Sequence, residues 1–306
     1  MKNKTVVAIM YDFDKTLSPK DMQEYAFIPE LGLEPKEFWG KCDELVKKNN
    51  MDQILAYMFL MLDEAKAKKL INRDEFKKLG KTVQLCNGVE TWFKRINDYG
   101  EKRNLEIEHY IISSGLKEII EGTKIAHEFK GIYAAEYLYN EKNEPVWPAL
   151  AVNYTSKTQF LFRINKGELD ISDNKTVNEF TPEDKRRVPF RNMIYIGDGL
   201  TDVPCMKLVK VNGGYSIAVH QDNKSVAERM MRHGRVDFIA PANYSKSSKM
   251  ENLVFTILEQ IAATSKTVKM HLEDIDEMDD MDEVNVWDDL DEVNVWDDMQ
   301  INLIDR

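Results

Sequence analysis

The stretch Asp12-Phe13-Asp14-Lys15-Thr16-Leu17 follows the apolar run Val6-Val7-Ala8-Ile9-Met10, with Tyr11 between them. This run is short, rich in β-branched residues and continuous, which is typical of a strand covered on both faces of a parallel sheet. In open α/β sheets, ligands bind at the carboxyl ends of such strands. Asp12 and Asp14 are therefore candidate reactive carboxylates, although an Asp-rich turn would give the same pattern.

A second acidic loop follows the apolar residues 193–196, in the stretch Gly197-Asp198-Gly199-Leu200-Thr201-Asp202. The glycines allow a sharp turn close to a ligand, and Asp198 and Asp202 supply the oxygen ligands that Mg²⁺ takes. An ordinary Asp-Gly hairpin turn is the alternative. A third apolar run, His109-Tyr110-Ile111-Ile112, ends in Ser113-Ser114-Gly115, which would otherwise be read as a plain Ser/Gly loop.

The order of these elements is more specific than any one of them, and it includes a lysine that opens a helix before the last acidic loop. Lys157 is the best candidate, with Lys166 and Lys185 as alternatives, because a long polar stretch separates Lys157 from that loop. The combination resembles the haloacid dehalogenase superfamily of phosphatases, and most closely its phosphoserine-phosphatase-like branch. The resemblance runs from about Thr5 to Ile261 and is interrupted by one helical segment.

The resemblance implies a Mg²⁺-dependent phosphatase that hydrolyses a small phosphomonoester through an aspartyl-phosphate intermediate. Asp12 would be the nucleophile, and Asp14 would protonate the leaving oxygen and then activate water. The implied Mg²⁺ site comprises Asp12, the main-chain carbonyl of Asp14, Asp198 and, behind them, Asp202. The implied phosphate contacts are Ser113, the backbone N–H groups around Ser114 and Gly115, and Lys157.

An acid at Asp14 also favours phosphatase chemistry over dehalogenation within this superfamily, because an alkoxide leaving from phosphate needs a proton and a halide does not. The substrate is not specified by a motif. Glu24 is a candidate substrate-binding acid, but its offset from Asp12 differs from that of the phosphoserine branch. Specificity is expected from positions near it, namely Met22, Gln23, Tyr25, Gln53 and Tyr57.

Strands that alternate with helices predict an α/β fold with a doubly wound, Rossmann-like parallel sheet and an inserted all-helical cap domain. We expect the core to comprise residues 1–17 and 86–265. Residues 18–85 show apolar stripes at helical spacing, such as Ile54, Tyr57, Met58 and Met61, and predict a cap that closes over the acids. Residues 131–138 and 146–152 predict a small hairpin beside the sheet.

Composition favours a cytoplasmic enzyme. The 306 residues include three cysteines without paired spacing, and no apolar stretch reaches the ~18 residues that a membrane helix needs. From Glu273 onward the chain has 15 of its 53 acidic residues and one of its 42 basic ones, so the preceding part has 41 basic residues against 38 acidic ones. A slightly basic core suits a small anionic metabolite and does not call for nucleic acid or membrane binding.

The acidic end of the chain, residues 266–306, contains the tandem repeat Asp282–Leu290 and Asp291–Met299, each reading DEVNVWDD with one further residue. Its composition predicts disorder. Acidic blocks with spaced tryptophans also occur in interaction segments, so this segment is a candidate site for a protein partner. The alternative is a solvated extension without a partner.

Two other functions are compatible with the same sequence. A phosphotransferase or phosphomutase would use all the same motifs and pass the phosphoryl group to an acceptor other than water. A non-catalytic interaction protein would use the fold as a platform for the acidic repeat. The non-catalytic interaction protein is disfavoured because every acid that catalysis requires is present.

Overall fold

The structure is a computed structural model, and it describes residues 4–25, 27–68 and 72–282. Within these residues one seven-stranded sheet has the order β4-β3-β2-β1-β5-β6-β7. The strands are β1 Thr5–Tyr11, β2 Leu105–Leu116, β3 Gly131–Tyr139, β4 Pro145–Leu150, β5 Met193–Gly197, β6 Tyr215–His220 and β7 Phe238–Pro241.

Strand β1 lies at the centre of the sheet and pairs in parallel with both β2 and β5. The chain builds outward from β1 to β2 and β3, then returns across β1 and continues through β5, β6 and β7. The strand order therefore reverses between β1 and β5, which is where open α/β sheets bind ligands. The edge strand β4 is antiparallel to β3 and forms the predicted hairpin.

Ten α-helices are present in the described residues: α1 Phe27–Glu30, α2 Pro35–Asn49, α3 Gln53–Lys68, α4 Arg73–Gly80, α5 Val89–Glu101, α6 Lys117–Glu121, α7 Lys157–Lys166, α8 Val203–Val211, α9 Ser225–Arg232 and α10 Lys249–Asp282. Short 3₁₀ helices lie at Met22–Glu24, Ala126–Glu128, Thr176–Asn178, Glu183–Lys185, Phe190–Asn192 and Leu200–Asp202. No helix in the described part of the chain is both long and apolar enough to cross a membrane.

The core forms where the sequence is continuously apolar. Residues Val7 to Tyr11 of β1 are all fully buried, as expected for a central parallel strand covered on both faces. One large cluster joins alternate residues of β1, β2 and β5 to the inner faces of α7 and α8. Cys42, Cys86 and Cys205 are buried as free thiols. The predicted α/β fold with a doubly wound parallel sheet is confirmed.

In the described residues between β1 and α5, all regular structure is helical. The last of these helices, α4, packs tightly on α6, because a Cβ added to Gly80 would overlap the Ile119 carbonyl oxygen. Ion pairs surround this contact, with Lys77 Nζ 2.8 Å from Glu121 Oε2 and Arg73 3.3 Å from Glu136. The segment is therefore anchored to the sheet-side helix α6 through α4.

The first part of the acidic segment differs from the sequence-based expectation. Residues 266–306 were expected to be disordered, but helix α10 continues to Asp282. Residues 262–282 contain no glycine or proline, so nothing in the backbone stops the helix. The chain divides into two compact units, residues 1–261 and residues 262–306. Almost all of the acidic repeat lies outside the described residues.

The polar stretch between α7 and β5 wraps around the buried Arg163. Its guanidinium donates hydrogen bonds to the carbonyl oxygens of Asp170 at 2.7 Å and Asp173 at 2.9 Å. These bonds attach the backbone of the loop to the buried guanidinium group. The stretch is thus an ordered surface loop, which explains the long spacing between Lys157 and the second acidic loop.

A buried histidine, His109, lies on β2 and packs against the rings of Tyr11 and Phe93. Its Nδ1 is 3.1 Å from the Tyr11 hydroxyl, and its Nε2 is 2.9 Å from Asn97 Oδ1. Burial lowers the pKa of His109 to about 3. The groups facing the imidazole stay uncharged, because Asn97 does not ionise and burial raises the pKa of Tyr11 far above neutral.

We predict that His109 makes the protein acid-sensitive. The unfolded chain takes up a proton near pH 6.5 and the folded protein does not, so stability is full above that pH and falls as the pH drops toward 3. Below pH 6 the wild type should lose about 1.4 kcal/mol of unfolding free energy per pH unit more than His109→Asn. Urea unfolding at pH 7 and pH 5 measures this difference. His127→Asn, at an exposed position, is the control, and equal pH dependence of all three proteins would refute the prediction.

Candidate functional site

The two acidic loops meet at the point where the strand order reverses. Asp12 follows β1, and its N–H donates to the Ile196 carbonyl oxygen of β5 at 2.9 Å. Asp198 follows β5 directly. One carboxylate oxygen from each of Asp12, Asp198 and Asp202 lies within 4.8 Å of the others. The strand ends thus bring Asp12 together with two acids that follow it by 186 and 190 residues in the sequence.

Lys157 is buried between two of these acids. Its Nζ lies 3.1 Å from Asp12 Oδ1 and 2.7 Å from Asp202 Oδ1, and the residue is only 1% exposed. Burial alone would lower the pKa of Lys157, but the two carboxylates outweigh it and the net pKa is raised. The lysine therefore remains charged and holds Asp12 in one orientation.

The loop before α7 places this lysine. Asn153 Oδ1 accepts hydrogen bonds from the N–H groups of Thr155 and Ser156, and the Asn153 carbonyl oxygen accepts from Lys157 N at 3.0 Å. Of the alternative lysines, Lys166 donates to the Val177 carbonyl oxygen in the polar loop. Lys185 lies in the same loop, in the 3₁₀ helix Glu183–Lys185. Lys157 is the lysine that contacts the acids.

Asp202 is fully buried and both of its oxygens are engaged. Oδ1 accepts from Lys157 and from the Tyr195 hydroxyl at 2.9 Å, and Oδ2 accepts from Gly199 N at 3.2 Å. A Cβ on Gly197 would lie 2.5 Å from Asp202 Oδ2, so this position requires glycine. Asp202 therefore acts mainly by positioning Lys157. Tyr195 was missed from the sequence because an apolar strand normally uses tyrosine for packing.

Asp14, two residues after Asp12, has other hydrogen-bond partners than Asp12 and Asp202. Its Oδ1 accepts a hydrogen bond from Met22 N at 2.7 Å, and its Oδ2 would be 2.9 Å from a Cβ at Gly115. Burial, followed by the negative charges of Asp21 and Asp12, raises the pKa of Asp14 well above its ordinary value. A raised pKa favours the protonated form of this carboxyl group, which is the form that can donate a proton.

The Ser-Ser-Gly segment belongs to strand β2 and is not the plain Ser/Gly loop that was the alternative interpretation of its sequence. Strand β2 continues to Leu116, and its pairing with β3 shifts register between Ile112 and Leu116. Irregularities of this kind re-aim side chains beside active sites. The buried Ser113 Oγ accepts a hydrogen bond from Gly115 N at 3.1 Å. This N–H, expected to bind phosphate directly, is directed at the serine hydroxyl instead.

Glu24 is not drawn into this cluster. It lies in the 3₁₀ helix Met22–Glu24, where its Oε1 accepts a 3.4 Å hydrogen bond from Trp39 Nε1 of α2. Among the contacts of the described residues, none joins Glu24 to Asp12, Asp14 or Ser113. Its role in substrate binding stays a prediction.

The chemistry of the donor set fits a small divalent cation. Burial and the neighbouring acids raise the pKa of Asp198 to about 8, and burial together with Asp202 raises the pKa of Asp12 to about 6 despite Lys157. One buried lysine cannot balance these carboxylates, and closely spaced acids of this kind are stabilised by a cation. No hydrogen bond to the Asp198 carboxylate is found among the described residues, so its oxygens are available as ligands. Asp12 and Asp198 would hold the ion.

Comparisons with known proteins agree with this arrangement at the level of the fold. No protein-family model matches the sequence. A HAD family hydrolase from Salmonella enterica subsp. enterica serovar Typhi superposes with a TM-score of 0.54 at 18% identity, covering 83% of this chain and 72% of that one. The chain therefore has the haloacid dehalogenase fold, which confirms the fold that the motifs predicted.

Two further relatives are similar in different ways. A substrate-bound phosphoserine phosphatase superposes with a TM-score of 0.50 at 14% identity, covering 77% of this chain and 93% of that one. An uncharacterized protein from Borreliella burgdorferi is 29% identical over 282 residues, covering 83% of this chain and 96% of the relative. The similarity to this sequence thus extends over nearly the whole bacterial relative.

We predict that Asp198→Asn stabilises the metal-free protein and removes its response to Mg²⁺. The substitution removes a carboxyl group that, without metal, must either carry a charge beside Asp12 and Asp202 or take up a proton on folding, so the melting temperature without metal should rise by about 2–4 °C. Adding Mg²⁺ should raise the melting temperature of the wild type and leave that of the variant unchanged. Differential scanning fluorimetry with EDTA or Mg²⁺ measures both effects. Asp222→Asn removes an exposed acid and is the control; a Mg²⁺ shift retained in Asp198→Asn would exclude this ion site.

Proposed function

We propose that this protein is a Mg²⁺-dependent phosphatase that hydrolyses a small phosphomonoester through an aspartyl-phosphate. The observation that carries the proposal is the convergence of Asp12, Asp198 and the buried Lys157 at the strand-order reversal. A nucleophilic carboxylate, a cation site and a fixed ammonium group together are what phosphoryl transfer requires. The fold shared with HAD family hydrolases supports the same reaction class.

In the first step Asp12 attacks phosphorus. A carboxylate oxygen of Asp12 forms the new P–O bond while the bond from phosphorus to the substrate oxygen breaks. The departing oxygen takes its proton from Asp14, whose raised pKa favours the protonated carboxyl group. The products of this step are an alcohol and the phosphorylated Asp12.

In the second step water replaces Asp12 on phosphorus. Asp14, now ionised, accepts a proton from the water molecule as its oxygen bonds to phosphorus, and the bond to Asp12 breaks. Inorganic phosphate leaves, and both carboxyl groups return to their starting states. The hydrogen bond from Met22 N keeps Asp14 in one place through both steps.

Negative charge on the transferring group is balanced from two sides. Lys157 lies against Asp12 and offsets the charge that accumulates there, and Ser113, near the end of the neighbouring strand β2, would donate its hydroxyl to a phosphate oxygen. A bound Mg²⁺ would supply further neutralisation of the phosphoryl oxygens at Asp12 and Asp198. Asp202 and Tyr195 keep the lysine in position.

The helices between β1 and α5 would serve as a cap over this site and exclude water. Support comes from Tyr57 of α3, whose hydroxyl donates to the Ser114 carbonyl oxygen at 2.7 Å. We propose a small phosphorylated metabolite as substrate and the cytoplasm as the location. A protein partner for the acidic repeat, which lies almost wholly outside the described residues, stays a separate proposal.

We predict distinct effects for the two acids. Asp12→Asn should abolish phosphate release, because an amide cannot attack phosphorus. Asp14→Asn should slow hydrolysis of an alkyl phosphate by about 10²–10⁴ and slow release of a nitrophenolate leaving group much less, since nitrophenolate departs without a proton. Phosphate release from glycerol phosphate and from p-nitrophenyl phosphate, each with and without Mg²⁺, measures this.

The control is Asp98→Asn, which removes an exposed acid paired with Lys94 on α5 and without a proposed chemical step. Full activity of Asp12→Asn would refute the nucleophile, and equal losses on both substrates in Asp14→Asn would refute the general acid. Addition of ethylene glycol tests the alternative reaction. If the phosphoryl group passes to the diol more efficiently than to water, the protein is a phosphotransferase.

A further inference from the structure

One peptide plane in the Ser-Ser-Gly segment is held at both ends. The Tyr57 hydroxyl donates to the Ser114 carbonyl oxygen at 2.7 Å. The N–H of the same peptide unit belongs to Gly115, and it donates to Ser113 Oγ at 3.1 Å. In a trans peptide the C=O and N–H point in opposite directions, so a bond on one side fixes the direction of the other.

The hydrogen bond from Gly115 N determines whether the Ser113 hydroxyl acts as donor or acceptor toward a ligand. A serine hydroxyl has one O–H to donate and lone pairs to accept. The Gly115 N–H occupies a lone pair and leaves the O–H free for an anionic oxygen. Because linked hydrogen bonds polarise one another, the Tyr57 bond also strengthens the donor that orients Ser113.

We infer that Tyr57 is a positioning residue for phosphate, acting through the Ser114–Gly115 peptide on the Ser113 hydroxyl; this rests on the proposed phosphatase function. Tyr57 is 3% exposed, and burial raises the pKa of its hydroxyl, so it remains a protonated donor. It does not itself have to touch the substrate. The helical segment thereby contributes to the phosphate-binding group of the core.

Helix α3 is tied to the lysine side of the site as well. Asp52, just before α3, accepts a hydrogen bond on Oδ2 from Asn153 Nδ2 at 3.1 Å, and its Oδ1 accepts from Ile54 N at the helix start. Asn153 is the residue whose carbonyl oxygen receives the Lys157 N–H. A shift of α3 would therefore change the positions of both Ser113 and Lys157, the two residues that would contact phosphate.

The chain offers a matched control for a lost tyrosine hydroxyl. Tyr137 of β3 is as buried as Tyr57, and its hydroxyl donates to the Met58 carbonyl oxygen of the same helix α3 at 2.6 Å. That carbonyl is not part of the Ser-Ser-Gly segment. Tyr57→Phe and Tyr137→Phe therefore each remove one buried hydrogen bond between α3 and the sheet, but only Tyr57→Phe frees the peptide that orients Ser113.

The test measures turnover of p-nitrophenyl phosphate and inhibition by inorganic phosphate for the wild type, both tyrosine variants, Ser113→Ala and the double variant Tyr57→Phe with Ser113→Ala. We expect Tyr57→Phe to lower kcat/KM and weaken phosphate inhibition by about tenfold, and Tyr137→Phe to change both less than twofold. If Tyr57 acts through Ser113, the double variant should be no worse than Ser113→Ala alone.

Melting temperatures of both tyrosine variants separate a general loss of stability from a local effect. Equal kinetic losses in Tyr57→Phe and Tyr137→Phe, or multiplicative losses in the double variant, would overturn the inference and leave the phosphatase proposal standing. Absence of turnover in the wild type, with phosphate binding by calorimetry still weakened only in Tyr57→Phe, would instead overturn the proposed function. In that case Tyr57 would still position an anion site.

Discussion

The site depends on one buried ion cluster, the ammonium group of Lys157 between the carboxylates of Asp12 and Asp202. Charges taken out of water are costly unless they are paired and hydrogen-bonded, and Lys157 has both partners within 3.1 Å. One lysine offsets only part of the negative charge, because Asp198 and Asp14 lie nearby with raised pKa values. The negative charge that Lys157 does not offset favours binding of a divalent cation and protonation of Asp14.

The sheet supplies the rigidity that this cluster needs. Asp12 is fixed by a backbone hydrogen bond to Ile196, so the two reactive loops begin from adjacent, paired strands. Reactive groups on strand ends are held more closely than groups on free loops. Glycines at positions 197 and 115 let Asp202 and Asp14 approach the backbone, and any larger residue would push those acids away.

The fold and the acids could be predicted because each signal is local. A continuous apolar run followed by Asp12, and another followed by Asp198, indicates two buried strands whose ends share one edge. Other features depend on partners far away in the sequence. Lys157 could not be separated from Lys166 and Lys185 by spacing alone, since the intervening loop folds around Arg163. The end of β2 at Leu116 also depends on its pairing with β3, which no local pattern shows.

The link from Tyr57 to Ser113 shows why such details escape sequence reasoning. Tyr57 belongs to an apolar helical stripe, and that pattern predicts packing alone. Its hydroxyl reaches Ser114 because the helical segment is held against the sheet, through the contact of α4 with α6 and through the hydrogen bond from Tyr137 to α3. The contact of α4 with α6 requires glycine at positions 80 and 122, where a side chain would overlap a backbone carbonyl. Two glycines outside the acidic cluster therefore help to hold the helical segment beside the end of β2.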